Sequence, residues 1–153
     1  MDYVPFDYSA SETKLKLLSI HTCYVDAIRD GSKHFELRCY SPHVYPGDWC
    51  IVYETKPTMH LATAFRSAGF WCMNPEDAWQ RHGGFFGIEP EAYFEYFRDR
   101  KHAYGIIIDS VVNFDPLSIN ELRDAIGFAP PQAVRGWTYN RIHKRILDAV
   151  ENS

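Results

Sequence analysis

Apolar residues along the chain fall into short runs broken by Pro, Gly and charge. Leu15-Lys16-Leu17-Leu18-Ser19-Ile20 is a compact apolar run and predicts a buried strand. Thr22 follows as a residue whose hydroxyl suits a helix start, Tyr24, Val25 and Ile28 keep helical spacing, and Gly31 supplies a left-handed stop. From His34 to Tyr40 the pattern changes to strict alternation. Phe35, Leu37 and Cys39 fall on one side and His34, Glu36 and Arg38 on the other, which predicts a strand with one apolar and one charged face. Tyr45-Pro46-Gly47-Asp48 reads as a turn, because Pro and Gly preset its dihedral angles. The aromatic and β-branched stretch from Trp49 to Glu54 predicts the next strand, and Leu61 to Gly69 a further one.

Helical signals dominate the following segment. Asn74 is placed to cap, Pro75 to occupy the first helical position, and Glu76 and Asp77 to face the positive helix end; this helix should stop near Gly83-Gly84. Pro90 opens a second helix over Glu91 to Asp99, rich in aromatics. Gly105 to Val112 is nearly continuous in apolar residues and predicts a buried strand. Ser118 and Glu121 have capping-box spacing, and the helix they start should end at Gly127. Pro130-Pro131-Gln132 predicts an extended loop, and Ile142, Ile146, Leu147 and Val150 form the apolar stripe of a last helix. Short strands with short interspersed helices imply an α+β fold: a small β-barrel of mostly antiparallel strands with peripheral short helices.

Composition narrows the class. The 153 residues suit one domain with a core of its own, and 46% hydrophobic with 16% aromatic content excludes a disordered chain. No apolar run approaches the roughly 20 residues of a membrane helix, and the N-terminus lacks a basic stretch followed by an apolar one. The expectation is a cytoplasmic protein without membrane contact. Cysteines 23, 39, 50 and 72 are widely and irregularly spaced, with no close pair of the kind that structural zinc sites use. They read as small semi-buried residues, and neither a metal nor another cofactor is expected. The net charge of −4 argues against a long track of phosphate contacts. Any nucleic-acid contact should be local or directed at a base.

Candidate chemistry gathers around the alternating strand. Lys33 offers a compact cation for a phosphate or carbonyl oxygen, and Arg38 a planar fork for phosphate or a base edge. Glu36, on the same strand face as Arg38, can accept from an exocyclic amine or orient the arginine; a solvated salt-bridge face is the plainer alternative. Ser19 and His21 close the first strand beside a helix start, where backbone amides suit an anion. Tyr53 and Trp49 offer stacking surfaces for a base, or simply core. Phe85, Phe86, Tyr93, Phe94, Tyr96 and Phe97 read as core and loop packing. Arg141, His143, Lys144 and Arg145 read as the wet face of the last helix. No nucleophile elbow, P-loop or dinucleotide fingerprint is present.

Ser19-Ile20, Gly31, Lys33, Glu36 and Arg38, then Pro46-Gly47-Asp48 and the WCIVYET stretch, resemble in order the signature of ASCH domains. The helix with Trp79, the aromatic helix ending at Phe97, GIIID, Asp115-Pro116-Leu117 and the Pro130-Pro131-Gln132 loop continue the resemblance over roughly residues 15 to 138. It implies a PUA-like barrel with a cleft beside the first helix, preceded by an arm (1–14) and followed by a C-terminal helix (139–153) packed on the domain. Family members are regarded as RNA- or nucleotide-related modules; some are parts of transcription coactivators, some ribonucleases, and a small bacterial branch amidohydrolases acting on acetylated cytidine. The resemblance therefore implies a binding protein, regulatory in role, for RNA, other single-stranded nucleic acid, or a nucleotide or nucleoside. Ser19, His21, Lys33, Glu36, Arg38, Tyr53 and Gln132 are its candidate contacts. The alternatives are a hydrolase in the same cleft, with Lys33 and Glu36 as acid–base candidates, and a protein-interaction module. The amidohydrolase branch carries a Thr three residues after the Lys, and Glu36 stands there instead.

Overall fold

The computed structural model describes residues 15–138 and 140–151. The predicted arm at 1–14 lies outside the described residues. Six strands form one mixed sheet in the order β2-β5-β4-β3-β1-β6: β1 Leu15–Ile20, β2 Phe35–Arg38, β3 Trp49–Glu54, β4 His60–Met73, β5 Ala103–Ser118 and β6 Arg135–Gly136. Among the described residues only β1 and β3 run parallel, from Leu15 opposite Trp49 to Ile20 opposite Glu54; the other pairs are antiparallel. The sheet curls into a half-barrel, with five short helices around it: α1 Thr22–Asp30, α2 Pro75–His82, α3 Pro90–Tyr96, α4 Ile119–Ile126 and α5 Arg141–Glu151. The expected α+β fold is the one found, and its curl is that of a half-barrel.

Strand alternation sorts the core onto two faces. Leu15 and Leu17 of β1 and Trp49, Ile51 and Tyr53 of β3 pack on one face with Leu122 of α4 and Ile142, Ile146 and Val150 of α5. Leu18, Ile20, Cys50 and Val52 point the other way, onto Val25 and Ile28 of α1. β3 is buried at all six positions, as a strand covered on both faces must be. A third cluster joins Leu37 of β2 and Ala103 of β5 to Ala78, Phe86, Tyr93 and Phe97 around α2 and α3. Here Trp71 lies opposite Gly105, and its indole fills the space a Cβ at Gly105 would need.

Most boundaries follow local chemistry. Gly31 closes α1 with φ +84°, and Asn74 accepts the amides of Glu76 and Asp77 at the start of α2. Four readings need correction. His143, read with the wet face of the last helix, is buried (0% exposed). The cap of α1 is His21, whose Nδ1 accepts the Cys23 amide at 3.3 Å; Thr22 is the first helical residue and its hydroxyl bonds Thr58 instead. Ser118 caps α4 by accepting the Glu121 amide, while the Glu121 carboxylate turns to Arg145 at 2.9 Å. And β5 runs well past Val112, with exposed Asp109 and Ser110 in the segment read as continuously buried. Register shifts between Arg66 and Phe70 of β4 bend the pair there.

A buried polar network ties α1 to this sheet. Glu54, at the end of β3, is fully buried (0% exposed). It accepts from Arg29 Nη2 at 2.6 Å and meets His60 Nε2 at 2.7 Å. Arg29 Nε donates to Thr63 Oγ1, which donates in turn to Asn113 Oδ1, both at 2.9 Å. Removing a buried ionic partner strands the other charge, whereas an exposed pair such as Arg145–Glu121 exchanges its bonds with water. Glu54→Ala is therefore expected to lower stability by about 3 kcal/mol in urea unfolding, and Glu121→Ala by less than about 1 kcal/mol. Equal effects would show that the network does not hold the helix.

Candidate functional site

β1 and the α1 start stand opposite α3 with a gap between them, and β2 forms its floor. The result is a cleft of about 460 Å³ lined by Ser19, Ile20, His21, Tyr24, Lys33, Glu36, Leu37, Arg38, Ile88, Ala92, Glu95 and Tyr96. Apolar walls with a few converging charged groups are the common form of a small-ligand site, at a size typical of one.

Each charged group arrives by a local device. Lys33 follows the Gly31 stop and is only 3% exposed. Its Nζ donates to the Phe86 carbonyl at 2.6 Å and stands 5.5 Å from the centre of the Tyr24 ring. The loop that brings this carbonyl in turns at Gly87, φ +64°, where a Cβ would press on Lys33 Cβ at 3.0 Å. Only a residue without a side chain combines that dihedral with that approach. Alternation on β2 then sends Glu36 and Arg38 to the cleft while Leu37 packs into the third core cluster. Glu36 Oε1 accepts the Leu37 amide at 3.1 Å and lies 4.0 Å from Lys33 Nζ; its Oε2 lies 3.7 Å from Arg38 Nη2. Arg38 Nη2 donates to the Ser19 carbonyl at 2.9 Å, and its Nε is buried with no hydrogen-bond partner among the described residues. A buried donor left unpaired costs about 1–3 kcal/mol.

Electrostatics here are tuned by burial. Loss of water holds the Lys33 ammonium below the ordinary lysine range; the Glu36 carboxylate draws it back up and the Arg38 guanidinium presses it further down. With Glu95 on the facing wall, two cations and two carboxylates line the cleft. Such a balance leaves the cleft with little net formal charge.

Of the residues singled out from the sequence, Ser19, His21, Lys33, Glu36 and Arg38 come together in this cleft. The Ser19 hydroxyl is already engaged, donating to the Pro131 carbonyl at 2.7 Å. The fold does not bring Tyr53 there: it is 3% exposed in the first core cluster, 5.5 Å from the Phe128 ring, because its position on β3 points it to the face away from α1. Trp49 is buried in the same cluster. Gln132 lies outside the cleft, in an adjoining hollow that shares Arg38 and Tyr96 with it. Tyr24, Ile88 and Tyr96 line the cleft without having been picked out. Tyr96 sits at the end of an aromatic helix whose Tyr93 and neighbouring Phe97 are core, and only its own 45% exposure separates it from them. Among the described residues no cluster of three metal-binding side chains occurs, and no helix is long and apolar enough to cross a membrane.

Comparison with known proteins fits this architecture. The ASCH from Zymomonas mobilis superposes with a TM-score of 0.80 at 19% identity, covering 88% of this chain and 94% of that one. Two single-residue variants of the same bacterial protein give TM-scores of 0.80 and 0.81 at 20% and 19% identity, each covering 87% of this chain and 94% and 96% of theirs. At such identities the likeness is one of fold. No curated protein matches the sequence. The family model for the ASCH domain matches residues 18–112, a span that holds the end of β1, all of β2 to β4, the cleft's charged triplet and most of β5, and the chain belongs to the ASCH domain family.

Proposed function

We propose that the protein binds single-stranded RNA, or a nucleotide derived from it, by enclosing a base in the Lys33–Glu36–Arg38 cleft and setting the adjoining phosphate against Arg38. The observation that carries this reading is the cleft itself: about 460 Å³, apolar on its walls through Ile20, Tyr24, Ile88 and Tyr96, with a donor–acceptor triplet on its floor. Tyr24 and Tyr96 offer π-faces to a base, a role the sequence suggests for Tyr53 and Trp49. Glu36 can accept from an exocyclic amine, and Lys33 and Arg38 can donate to a carbonyl or phosphate oxygen. The overall charge of −4 agrees with recognition of a short segment and not of a long backbone. A regulatory role follows if binding is not coupled to turnover.

Hydrolysis in the same cleft is a second reading, favoured by one feature. A buried lysine with a depressed pKa beside a carboxylate is a recurring arrangement in proton-transfer sites.

Calorimetric titration with a short mixed-sequence single-stranded RNA should give saturable binding. Lys33→Ala should abolish it, and Arg38→Ala should weaken it about ten- to a hundredfold. Intact RNA on a gel after incubation supports binding without cleavage; Lys33-dependent fragments would establish the second reading, and no binding by the wild type would overturn the first. In addition, the ε-carbon resonance of Lys33 should titrate below 10.5, the ordinary lysine value. Glu36→Gln removes the charge that favours the ammonium and should move the midpoint lower still, whereas Arg38→Ala should raise it. A midpoint unmoved by either change would mean that the three groups do not share one site.

A further inference from the structure

Next to the cleft lies a second hollow of about 300 Å³, formed where the segment after β2, the turn after α3 and the Pro131 loop meet; Tyr40, Arg100 and Gln132 line it. It is not separate from the first. Arg38 and Tyr96 line both. We infer that this hollow is the subsite for the neighbouring nucleotide of a single strand, so that the ligand is an oligonucleotide and not a free nucleoside. The inference rests on the base-recognition reading above and extends it.

Charge is the first argument. The chain as a whole is acidic, yet the lining of this hollow carries two arginines, Arg38 and Arg100, and no carboxylate. Arg38 stands at the junction, its side chain partly exposed and one nitrogen on the Ser19 carbonyl. A guanidinium at that point faces the place a phosphodiester takes when its two nucleosides occupy the two hollows. Arg100 then lies beyond, near a second phosphate.

The second argument is Tyr40. It is 70% exposed, the most exposed of the large apolar and aromatic side chains described, so no core requirement accounts for it. It is nevertheless held: Arg100 Nη2 donates to its hydroxyl at 3.0 Å, and the guanidinium carbon sits 4.7 Å from the ring centre. A ring braced through its hydroxyl and by a cation loses little freedom when a base stacks on it. Such stacking is the main sequence-tolerant term in single-strand binding. Gln132 adds an amide with both donor and acceptor, on a loop pinned by the Ser19–Pro131 hydrogen bond. A braced aromatic, two cations and an amide beside a base-sized cleft match the chemistry of a dinucleotide step.

The test compares a mixed-sequence single-stranded RNA tetramer with the four ribonucleoside 5′-monophosphates by calorimetry. The wild type should bind the tetramer at least about tenfold tighter than any monophosphate, since it adds a stacked base and a phosphate. Tyr40→Ala should weaken the tetramer roughly 5- to 100-fold and leave monophosphate affinity within about twofold, while Tyr40→Phe, which keeps the ring, retains most of the tetramer affinity. Arg100→Ala should reduce the salt dependence of tetramer binding by about 0.7 in the slope of log K against log salt. Because Tyr40 is so exposed, thermal melts of its variants should match the wild type. If monophosphates bind but Tyr40→Ala leaves the tetramer unaffected, or weakens both ligands equally, the subsite is wrong and the cleft reading stands. Binding of neither ligand by the wild type overturns both.

Discussion

A carboxylate with no access to water holds the first helix in place. Glu54 ends the most deeply buried strand of the sheet, and Arg29 of α1, His60 of β4 and, through Thr63, Asn113 of β5 all converge near it. A buried charge of this kind tolerates few arrangements, because each unpaired hydrogen-bonding atom would carry its full desolvation cost. The apolar contacts of Val25 and Ile28 keep α1 on the sheet. The directional bonds to Glu54 fix its rotation and its slide along the strands. That placement sets the position of His21 and Tyr24, and with them one wall of the cleft.

The opposite wall is built by different means. α3 and the loop before it rest on an aromatic cluster in which Phe86, Tyr93 and Phe97 interlock, with Tyr93 and Phe86 stacked at 5.4 Å and the Tyr93 hydroxyl tied to the Pro75 carbonyl. The same loop turns the Phe86 carbonyl onto Lys33. The lysine is thus both a floor residue of the cleft and the bond that joins its two sides. Its burial is costly, and the surrounding groups offset only part of that cost, which is why its proton is held loosely.

The cleft and the adjoining hollow share one geometric origin. β2 is only four residues long, and alternation gives it two inward positions, Glu36 and Arg38. Past Arg38 the chain leaves the sheet, and Tyr40 projects into solvent where a continuing strand would have paired it or packed it. The short strand therefore delivers a charged pair to the cleft and, immediately beyond, an exposed aromatic braced by Arg100 to the adjoining hollow. Arg38 serves both.

Local chemistry in the sequence was enough for much of this. The Gly31 stop, the Asn74 cap, the Pro46-Gly47 turn and the alternation of His34 to Tyr40 are each decided within a few residues, by dihedral freedom, a short side-chain bond or the two-residue period of a strand. Together with the resemblance to the ASCH signature, that pattern singles out Lys33, Glu36 and Arg38. What the sequence could not decide was partnership across distance. Tyr53 and Tyr96 are both aromatic, and both sit among apolar neighbours, yet one is core and the other lines the cleft. Their roles depend on which face of β3 is covered and where α3 ends, and those are settled by packing between elements far apart in the chain. In the same way nothing near Thr22 shows that its hydroxyl will be taken by Thr58, leaving His21 to cap. Residue types and spacing determined which groups would be presented together on one strand; only the tertiary structure decided what would stand opposite them, because burial and hydrogen-bond completion are properties of the assembled core.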